Sequence, residues 1–389
     1  MKLDRRGKGG CLTMAGEALK ELAHVATSSE YAEVGGSHNQ KGIEFQRHWG
    51  LMRMFELAEA GQTDFLVLFE AIQDIAVLDS TTSPTTIAIY QVKKKDRKEW
   101  SWNELTGLHA PSAKTKPLDG VKVSPIGKLY ETVSAFTTIA SSGRFLSNAG
   151  CDVPLANGQN AAVHSSVPLS VLADAQRELL TSGLVTLHAG GGSGPDLSKL
   201  FFERTDLPVN SPGPHVVGIA HGFLAKRSPR HAGQAQSLVE SLLTKIAPLG
   251  ARTEPCADFD EVKVRHGYSL AEFSAALGEL EKIPDVIELL TAWVAQLSSE
   301  GMDFLELTRM QVAAASIYQR QVMGAVSSAE TALAHDCDAY LSKVEPSAKL
   351  LPFFDEAYES LAPNNSDFRK AEVLAHFALR AITKCAAQT

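Results

Sequence analysis

Residues 65–93 read FLVLFEAIQDIAVLDSTTSPTTIAIYQVK, and this stretch sets the fold class. It begins with an apolar run of strand length, and the segment that ends at residue 78 continues extended after a bend. STTSPTT at 80–86 is a turn signal, and IAIYQVK at 87–93 is a second β-rich segment. The pattern predicts two strands that are joined by a seven-residue turn and pair as an antiparallel hairpin.

Polar side chains interrupt both predicted strands. Because side chains alternate between the faces of a strand, Glu70, Ile72 and Asp74 are expected to share one face of the first strand. By the same rule, Gln91 and Lys93 share one face of the second. The hairpin is thus expected to bring a carboxylate, an amide oxygen and an ammonium group into one small region.

These three groups have a use in metal-dependent cleavage of phosphodiesters. Mg²⁺ prefers hard oxygen ligands, so Asp74 can hold it beside a scissile phosphate, where it acidifies a bound water. Gln91 would be a weaker ligand, and Lys93 can position the water or offset the phosphoryl charge. Glu44 adds a carboxylate if its helix lies over the sheet. By spacing alone, an edge strand with solvated charges is the more common explanation of such a pattern.

Further segments lie on both sides of the hairpin, and together with this weak pattern they form an ordered series of motifs. The series is GIEFQ at 42–46, FEAIQDI at 69–75, YQVK at 90–93, KLY at 128–130 and FLSN at 145–148. It resembles the PD-(D/E)xK nuclease superfamily, which has a restriction-endonuclease-like core. Within that superfamily, residues 40–280 look most like the double-stranded-DNA endonuclease domain of bacterial CD-NTase-associated or HerA-associated anti-phage effectors.

The resemblance implies a fold, a cofactor and a set of roles. The fold is α/β (α+β), with a restriction-endonuclease-like mixed sheet flanked by helices. The helical patterns beyond residue 280 themselves predict an all-α C-terminal region. The cofactor is Mg²⁺ or Mn²⁺, and the activity is endonucleolytic cleavage of double-stranded DNA. The implied site residues are Asp74, Gln91 and Lys93 for catalysis, Asp74, Gln91 and Glu70 for the metal, and Glu44 and Gln46 as secondary candidates. Gln91 departs from the acidic residue of the (D/E)xK pattern.

A basic stretch follows the second strand directly. Its cations, Lys94, Lys95, Arg97 and Lys98, are predicted to contact DNA phosphates, although a solvated charged face explains them as well. The whole chain has 37 Lys and Arg against 45 Asp and Glu, which gives a formal net charge of −8. A nucleic-acid surface must therefore be a local patch or be supplied by an assembly.

The predicted organisation has three parts: a helix and connector at 1–40, the nuclease domain at 41–280 and a helical region at 281–389. SLAE at 269–272 has the capping-box pattern that starts a helix. The helical region is too short for the ligand-sensing domain of cyclic-oligonucleotide-controlled relatives, so it suits self-assembly or docking on a HerA-type ATPase. The alternative is a non-catalytic, nuclease-like scaffold that recruits such an ATPase.

Several classes of protein are disfavoured. No run approaches the roughly 18 apolar residues of a spanning helix, so a soluble, cytoplasmic protein is expected. The five cysteines form no CxxC pair, which argues against a zinc knuckle or a disulfide framework. AGGGSGPD at 189–196 lacks the ending of a phosphate-binding loop and is predicted to be a surface loop. No Walker motif occurs anywhere in the sequence, so any ATP hydrolysis would belong to a partner.

Overall fold

The computed structural model describes residues 7–28, 40–188, 194–249, 256–281, 286–322, 325–343 and 349–386. Residues 29–39 of the predicted connector and residues 189–193 of the glycine-rich stretch lie outside these ranges. The chain divides into a first unit, Met1–Phe223 with Ala235–Leu277, and a second unit, Leu224–Gln234 with Gly278–Thr389. The three-part division drawn from the sequence stays a prediction.

The first unit is built on a mixed β-sheet. Its strands are β1 Leu66–Phe69, β2 Ile75–Leu78, β3 Thr86–Lys93, β4 Trp100–Ser101, β5 Ala140–Ser147, β6 Cys151–Asp152, β7 Ser166–Pro168, β8 Leu200–Arg204 and β9 Gly267–Ser269. In the described part of the chain, seven of them form one sheet in the order β7-β8-β5-β3-β2-β1-β9, and β4 pairs with β6. Within the large sheet β3, β5 and β8 are parallel, and the other pairs are antiparallel.

Helices accompany this sheet along the chain. They are α1 Gly7–Thr27, α2 Gln40–Glu59, α3 Trp102–Thr106, α4 Pro125–Ser134, α5 Asp174–Val185, α6 Pro212–Arg227, α7 Ala235–Ile246, α8 Phe259–His266 and α9 Leu270–Glu281. The predicted fold class, a mixed sheet flanked by helices, is confirmed.

The segment between β1 and β2 reverses the chain direction. The two strands pair antiparallel, and the Glu70 N–H donates to the Asp74 carbonyl at 3.0 Å across the turn. The prediction that Glu70, Ile72 and Asp74 share one face of a single strand is therefore wrong. Ile72 is 1% exposed and belongs to the hydrophobic core, whereas the Glu70 side chain is exposed.

The predicted hairpin of β2 and β3 is confirmed, with Leu78 opposite Ile87. Asp79 closes the turn, because its carboxylate accepts the N–H groups of Thr85 at 2.9 Å and of Thr86 at 3.0 Å. An Asp side chain in a turn can accept hydrogen bonds from backbone N–H groups that have no partner in the sheet. The turn therefore sets the register that determines which residues of β3 face the end of β2.

Close approach of α4 to the sheet depends on one glycine. A Cβ added at Gly143 of β5 would lie 2.7 Å from Leu129 and 2.8 Å from Val133, both on α4. Leu129 is fully buried, and Val133 is 3% exposed. The missing side chain lets the apolar face of α4 lie directly on the parallel strands, where it covers the β3 face that carries Ile89.

A strand that sequence reasoning missed lies at one edge of the sheet. β9 pairs antiparallel with β1, with Tyr268 opposite Val67. It ends at Ser269, which begins the predicted capping box. Ser269 Oγ accepts the Glu272 N–H at 3.3 Å, and Glu272 accepts the Ser269 N–H at 2.7 Å. The predicted helix start is thus confirmed, and the strand in front of it is added.

The second unit contains no β-strand among its described residues. It contains α10 Val286–Ser299, α11 Phe304–Val322, α12 Ser328–Leu341, α13 Leu350–Leu361 and α14 Lys370–Ala386. Its core centres on aromatic contacts in which the rings of Phe353, Phe354 and Phe377 lie 5.0–6.5 Å apart. The predicted all-α C-terminal region is confirmed, and it has its own hydrophobic core.

A network of polar contacts around Glu330 links three helices of the second unit. Glu330 of α12 accepts from Arg320 of α11 at 2.8 Å and from the Ser327 N–H at 2.9 Å. His376 of α14 lies 3.9 Å from the same carboxylate. Burial alone raises the pKa of Glu330, but hydrogen bonds from Ser327 and Arg320 outweigh it and lower the pKa to about 2.

We therefore expect Glu330→Gln to destabilise the second unit by about 1–3 kcal/mol at pH 7. Because the folded pKa is depressed, the charge contributes stability above the ordinary value of 4.5, and this contribution is lost as the pH falls from there towards about 2. Thermal unfolding of both proteins between pH 7 and pH 3 measures the difference. Exposed Glu288→Gln is the control, and a gap that does not narrow in acid contradicts the prediction.

The sequence predicts no membrane-spanning helix and no disulfide framework or zinc knuckle. No helix in the described ranges is long and apolar enough to cross a membrane. Four cysteines whose side chains are described, Cys151, Cys256, Cys337 and Cys385, are free thiols. The side chain of Cys11 lies outside the described set.

Candidate active site

The turn between β1 and β2 places Asp74 one residue before β2. Glu70 and Gln73 both adopt a left-handed backbone, each with a φ of 54°. Side chains other than glycine rarely take this conformation, which costs on the order of 1 kcal/mol per residue. Gln73 offsets part of this cost, because its side chain is buried and donates to Thr132 Oγ1 at 2.8 Å. The strained turn thus holds Asp74 at the end of the strand.

Asp74 and Lys93 come together at this end of the hairpin. The register pairs Ile75 with Tyr90, so Asp74 lies level with Gln91, one position beyond the last pair. The Lys93 Nζ lies 3.5 Å from Asp74 Oδ2. The same oxygen accepts the backbone N–H of the intervening Val92 at 2.6 Å. One carboxylate oxygen is therefore oriented by a strand N–H and faces an ammonium group.

Burial differs among the three central residues. Asp74 is 3% exposed and Gln91 is 1% exposed, whereas the side chain of Lys93 is 27% exposed. Charges in such a setting interact more strongly than in water because solvent screens them less. Lys93 is thus the residue of the three that reaches towards solvent, and Asp74 lies on the buried side of the group.

The three remaining acidic and amide candidates differ in their positions. Gln46 of α2 donates to the carbonyl of Val92 at 3.5 Å, so it lies beside the β3 segment that carries Gln91 and Lys93. Glu44 is exposed near the start of α2, where its own carbonyl accepts from His48 at 2.8 Å. Glu70 is exposed in the turn. The metal-ligand roles of Glu44 and Glu70 stay predictions.

Two lysines of the basic stretch that follows β3 form ion pairs with carboxylates nearby in the sequence. Lys94 lies 3.3 Å from Asp96. The Lys95 ammonium lies 2.7 Å from Glu104 and 4.4 Å above the ring of Trp100. The hydrogen bond from Lys95, followed by bonds from the Ser101 N-cap, lowers the pKa of Glu104 to about 2. Lys95 therefore helps to fix the chain that leaves β3.

Arg97 and Lys98 differ from these two lysines. Both are exposed, and Lys98 has a left-handed backbone with a φ of 64°. Their position after β3 keeps them as candidate phosphate contacts. Contact of all four cations with DNA stays a prediction.

Two supporting contacts escaped sequence reasoning. The side chain of Asn148 accepts the Lys95 N–H at 2.9 Å and donates to the Lys95 carbonyl at 2.8 Å. The Trp100 indole donates to Ser147 Oγ at 2.8 Å. These contacts tie the segment after β3 to the end of β5 and so hold the backbone that follows Lys93. Asn148 ends the FLSN segment noted above, which was the available signal.

The donor set fits a hard divalent cation that retains water ligands. No group of three or more His, Cys, Asp or Glu residues in the described ranges is arranged to hold a metal. A site for Mg²⁺ does not require one, because this ion binds through one or two carboxylates and keeps several waters. Asp74, directly before β2, could supply a carboxylate, and Gln91 of the adjacent β3 could supply an amide oxygen. A cation held by these two groups would supply electrostatic stabilisation of a phosphodiester in hydrolysis.

The part of the chain that contains this site matches a known protein family. The family model is that of the Cap4 dsDNA endonuclease domain, and it covers residues 34–248, more than half of the chain. The chain belongs to this family. The Cap4 endonuclease match contains α2 to α7 and the whole hairpin with Asp74, Gln91 and Lys93. It ends before β9, so one edge strand of the sheet comes from outside the Cap4 match.

Comparisons with individual proteins add nothing to the family match. No curated protein and no solved structure matches the chain significantly. A functional proposal therefore rests on two observations, the match to the Cap4 endonuclease family and the geometry of the hairpin.

Proposed function

We propose that this protein is a metal-dependent endonuclease for double-stranded DNA and an effector of bacterial anti-phage defence. The family match supports a nuclease domain that acts on double-stranded DNA. The observation that carries the site assignment is the 3.5 Å approach of Lys93 Nζ to Asp74 Oδ2 at the end of two paired strands. Metal dependence and the defence role follow from the resemblance of the motif series to PD-(D/E)xK effectors.

In this proposal each central residue has a separate task. Asp74 and Gln91 hold Mg²⁺ or Mn²⁺, and Glu70 is a further candidate ligand. The bound ion supplies Lewis acidity towards water and phosphate. Lys93, which reaches towards solvent, places its ammonium beside the scissile phosphate and offsets the charge that develops there. Asp74 in turn keeps the Lys93 side chain directed towards the metal position.

The proposed assembly is a homo-oligomer or a complex with a HerA-type ATPase. It is supported by helices α10 to α14 of the second unit, which lie outside the family match. On α11 this unit exposes three large apolar side chains, Phe304, Leu305 and Val312, whose exposed fractions are 75%, 58% and 67%. Apolar groups in water favour protein contacts. We propose that DNA cleavage belongs to the first unit and assembly to the second.

Removal of divalent cations tests the proposed chemistry. We expect the full chain to cut supercoiled plasmid DNA with Mg²⁺ or Mn²⁺, to stop in EDTA, and to resume when the metal is restored, because Asp74 and Gln91 hold the ion that assists attack. Gel electrophoresis gives the rate. Calorimetric titration of Mn²⁺ measures binding independently, so a nuclease that stays latent until it meets its partner is still detected. Cleavage that persists in EDTA contradicts the proposal.

A non-catalytic scaffold is the second candidate. It is favoured by the small number of acidic groups at the site, since the described residues include no cluster of three metal-ligating side chains. Such a scaffold would bind neither Mn²⁺ nor Mg²⁺ and would still recruit an ATPase partner. The calorimetric titration described above therefore distinguishes the two candidates, even if no cleavage is observed.

A further inference from the structure

A polar cavity of about 320 Å³ lies on the face of β3 opposite to Gln91. Because side chains alternate along a strand, Tyr90 lines this cavity while Gln91 is directed to the candidate active site. Arg53 of α2, Arg144 of β5 and Glu203 of β8 form further walls. The volume is within the range of small-molecule sites.

Two guanidinium groups at this cavity have an unused donor. The Nε atoms of Arg53 and Arg144 are buried, and no acceptor for either is present among the described residues. A buried donor without an acceptor destabilises a fold, so native proteins retain few of them. The two arginine side chains as a whole are 34% and 25% exposed, so a ligand in the cavity can supply acceptors to their outer N–H groups.

The orientation of both guanidinium groups is held by other contacts. Arg53 pairs with Glu56 at 2.8 Å, and Arg144 pairs with Glu203. The Arg144 guanidinium also lies 4.5 Å from the ring of Phe201. The remaining donors therefore need little reorganisation to meet a ligand, which reduces the entropy lost on binding.

Tyr90 adds a neutral donor to the two cations. It is 4% exposed, and its ring lies 4.5 Å from that of Trp49 on α2. Burial raises the pKa of Tyr90, with Arg53 and Glu203 among the charged groups around it. The hydroxyl is therefore protonated at neutral pH and able to donate. Three donors thus border one cavity, in a frame fixed by aromatic contacts.

We propose that this cavity binds the phosphate group of a nucleotide, with Arg53, Tyr90 and Arg144 as hydrogen-bond donors. A phosphate offers several acceptor oxygens, and arginine is well suited to it. Glu56 balances the charge of Arg53, and Glu203 balances that of Arg144. Directed hydrogen bonds therefore contribute more to phosphate binding than net charge does. The phosphate can belong to a free nucleotide or to the 5′ end of a DNA strand.

Calorimetric titrations of the full chain in EDTA test this site without cleavage. The probes are inorganic phosphate, deoxyadenosine 5′-monophosphate, deoxyadenosine, and a short oligonucleotide with or without a 5′-phosphate. We expect the two small phosphate compounds to bind and deoxyadenosine to fail. A 5′-phosphate that strengthens oligonucleotide binding identifies a DNA end as a source, and binding of the mononucleotide without such an effect identifies a free nucleotide.

Variants link binding to the cavity. Arg53→Gln is expected to weaken phosphate binding at least tenfold, and Tyr90→Phe several-fold, while exposed Arg309→Gln leaves it unchanged. Thermal unfolding shows whether each variant is folded. If Arg53→Gln does not fold, Tyr90→Phe alone tests the link between binding and the cavity. The proposal is overturned if no phosphate probe binds at millimolar concentration. It is also overturned if the folded cavity variants bind as tightly as the unmodified protein.

Discussion

Asp74→Asn is expected to lower the rate of double-stranded DNA cleavage by at least about 10³-fold, because it removes the negative charge proposed to hold the metal. The substitution preserves the size of the side chain and one oxygen that can accept the Val92 N–H, so the hairpin should remain folded. The rate is measured on plasmid DNA at saturating Mg²⁺. Calorimetry with Mn²⁺ should show a parallel loss of metal binding.

Asp64→Asn provides the matched control for this variant. Asp64 belongs to the same hairpin region, and its carboxylate accepts from Ser80 Oγ and the Thr81 N–H, both at 2.8 Å. Loss of this carboxylate should lower stability while the folded protein still cleaves DNA. If Asp74→Asn cuts DNA as fast as Asp64→Asn, Asp74 does not hold an essential metal.

Lys93→Met is expected to reduce the cleavage rate by about 10²-fold, because its ammonium is proposed to offset phosphoryl charge. The methionine preserves much of the apolar stem and removes only the charged end. DNA affinity should change much less, since a single phosphate contact is a small part of a duplex interface. Cleavage rate and DNA binding are measured separately, the latter by fluorescence anisotropy in Ca²⁺ or EDTA.

Exposed Lys122→Met is the control for loss of one positive charge. It should reproduce any general effect of net charge on DNA binding and leave the rate of the bound complex unchanged. An equal fall of rate and affinity in Lys93→Met would identify Lys93 as a binding residue alone. Comparable rates in the two lysine variants would remove Lys93 from the reaction.

Local patterns were sufficient for much of the site. The apolar runs at 66–69 and 75–78 and the β-rich segment at 86–93 predict strands because a buried strand needs such side chains on its faces. The short turn between β2 and β3 then leaves only an antiparallel pairing. For this reason Asp74 and Lys93 could be expected in one region from residue spacing and hairpin geometry.

The placement of Glu70 could not be predicted in the same way. No glycine marks the turn between β1 and β2, and two ordinary residues, Glu70 and Gln73, take the left-handed backbone instead. Buried contacts stabilise this conformation, among them the Gln73 bond to Thr132, which is 59 residues away. Periodicity carries no information about such a contact, so the alternation of side chains placed Glu70 and Asp74 on one strand face.

Strand propensity, helix periodicity and turn residues are properties of neighbouring positions, and they were enough to predict the β2–β3 hairpin and a helical C-terminal region. The mixed sheet flanked by helices was implied by the resemblance of the motif series to a nuclease superfamily. Pairing of β9 with β1 and convergence of Arg53, Tyr90, Arg144 and Glu203 on one cavity depend on segments far apart in the chain. Such contacts form only when several elements are packed together, because no short segment gains their burial energy alone.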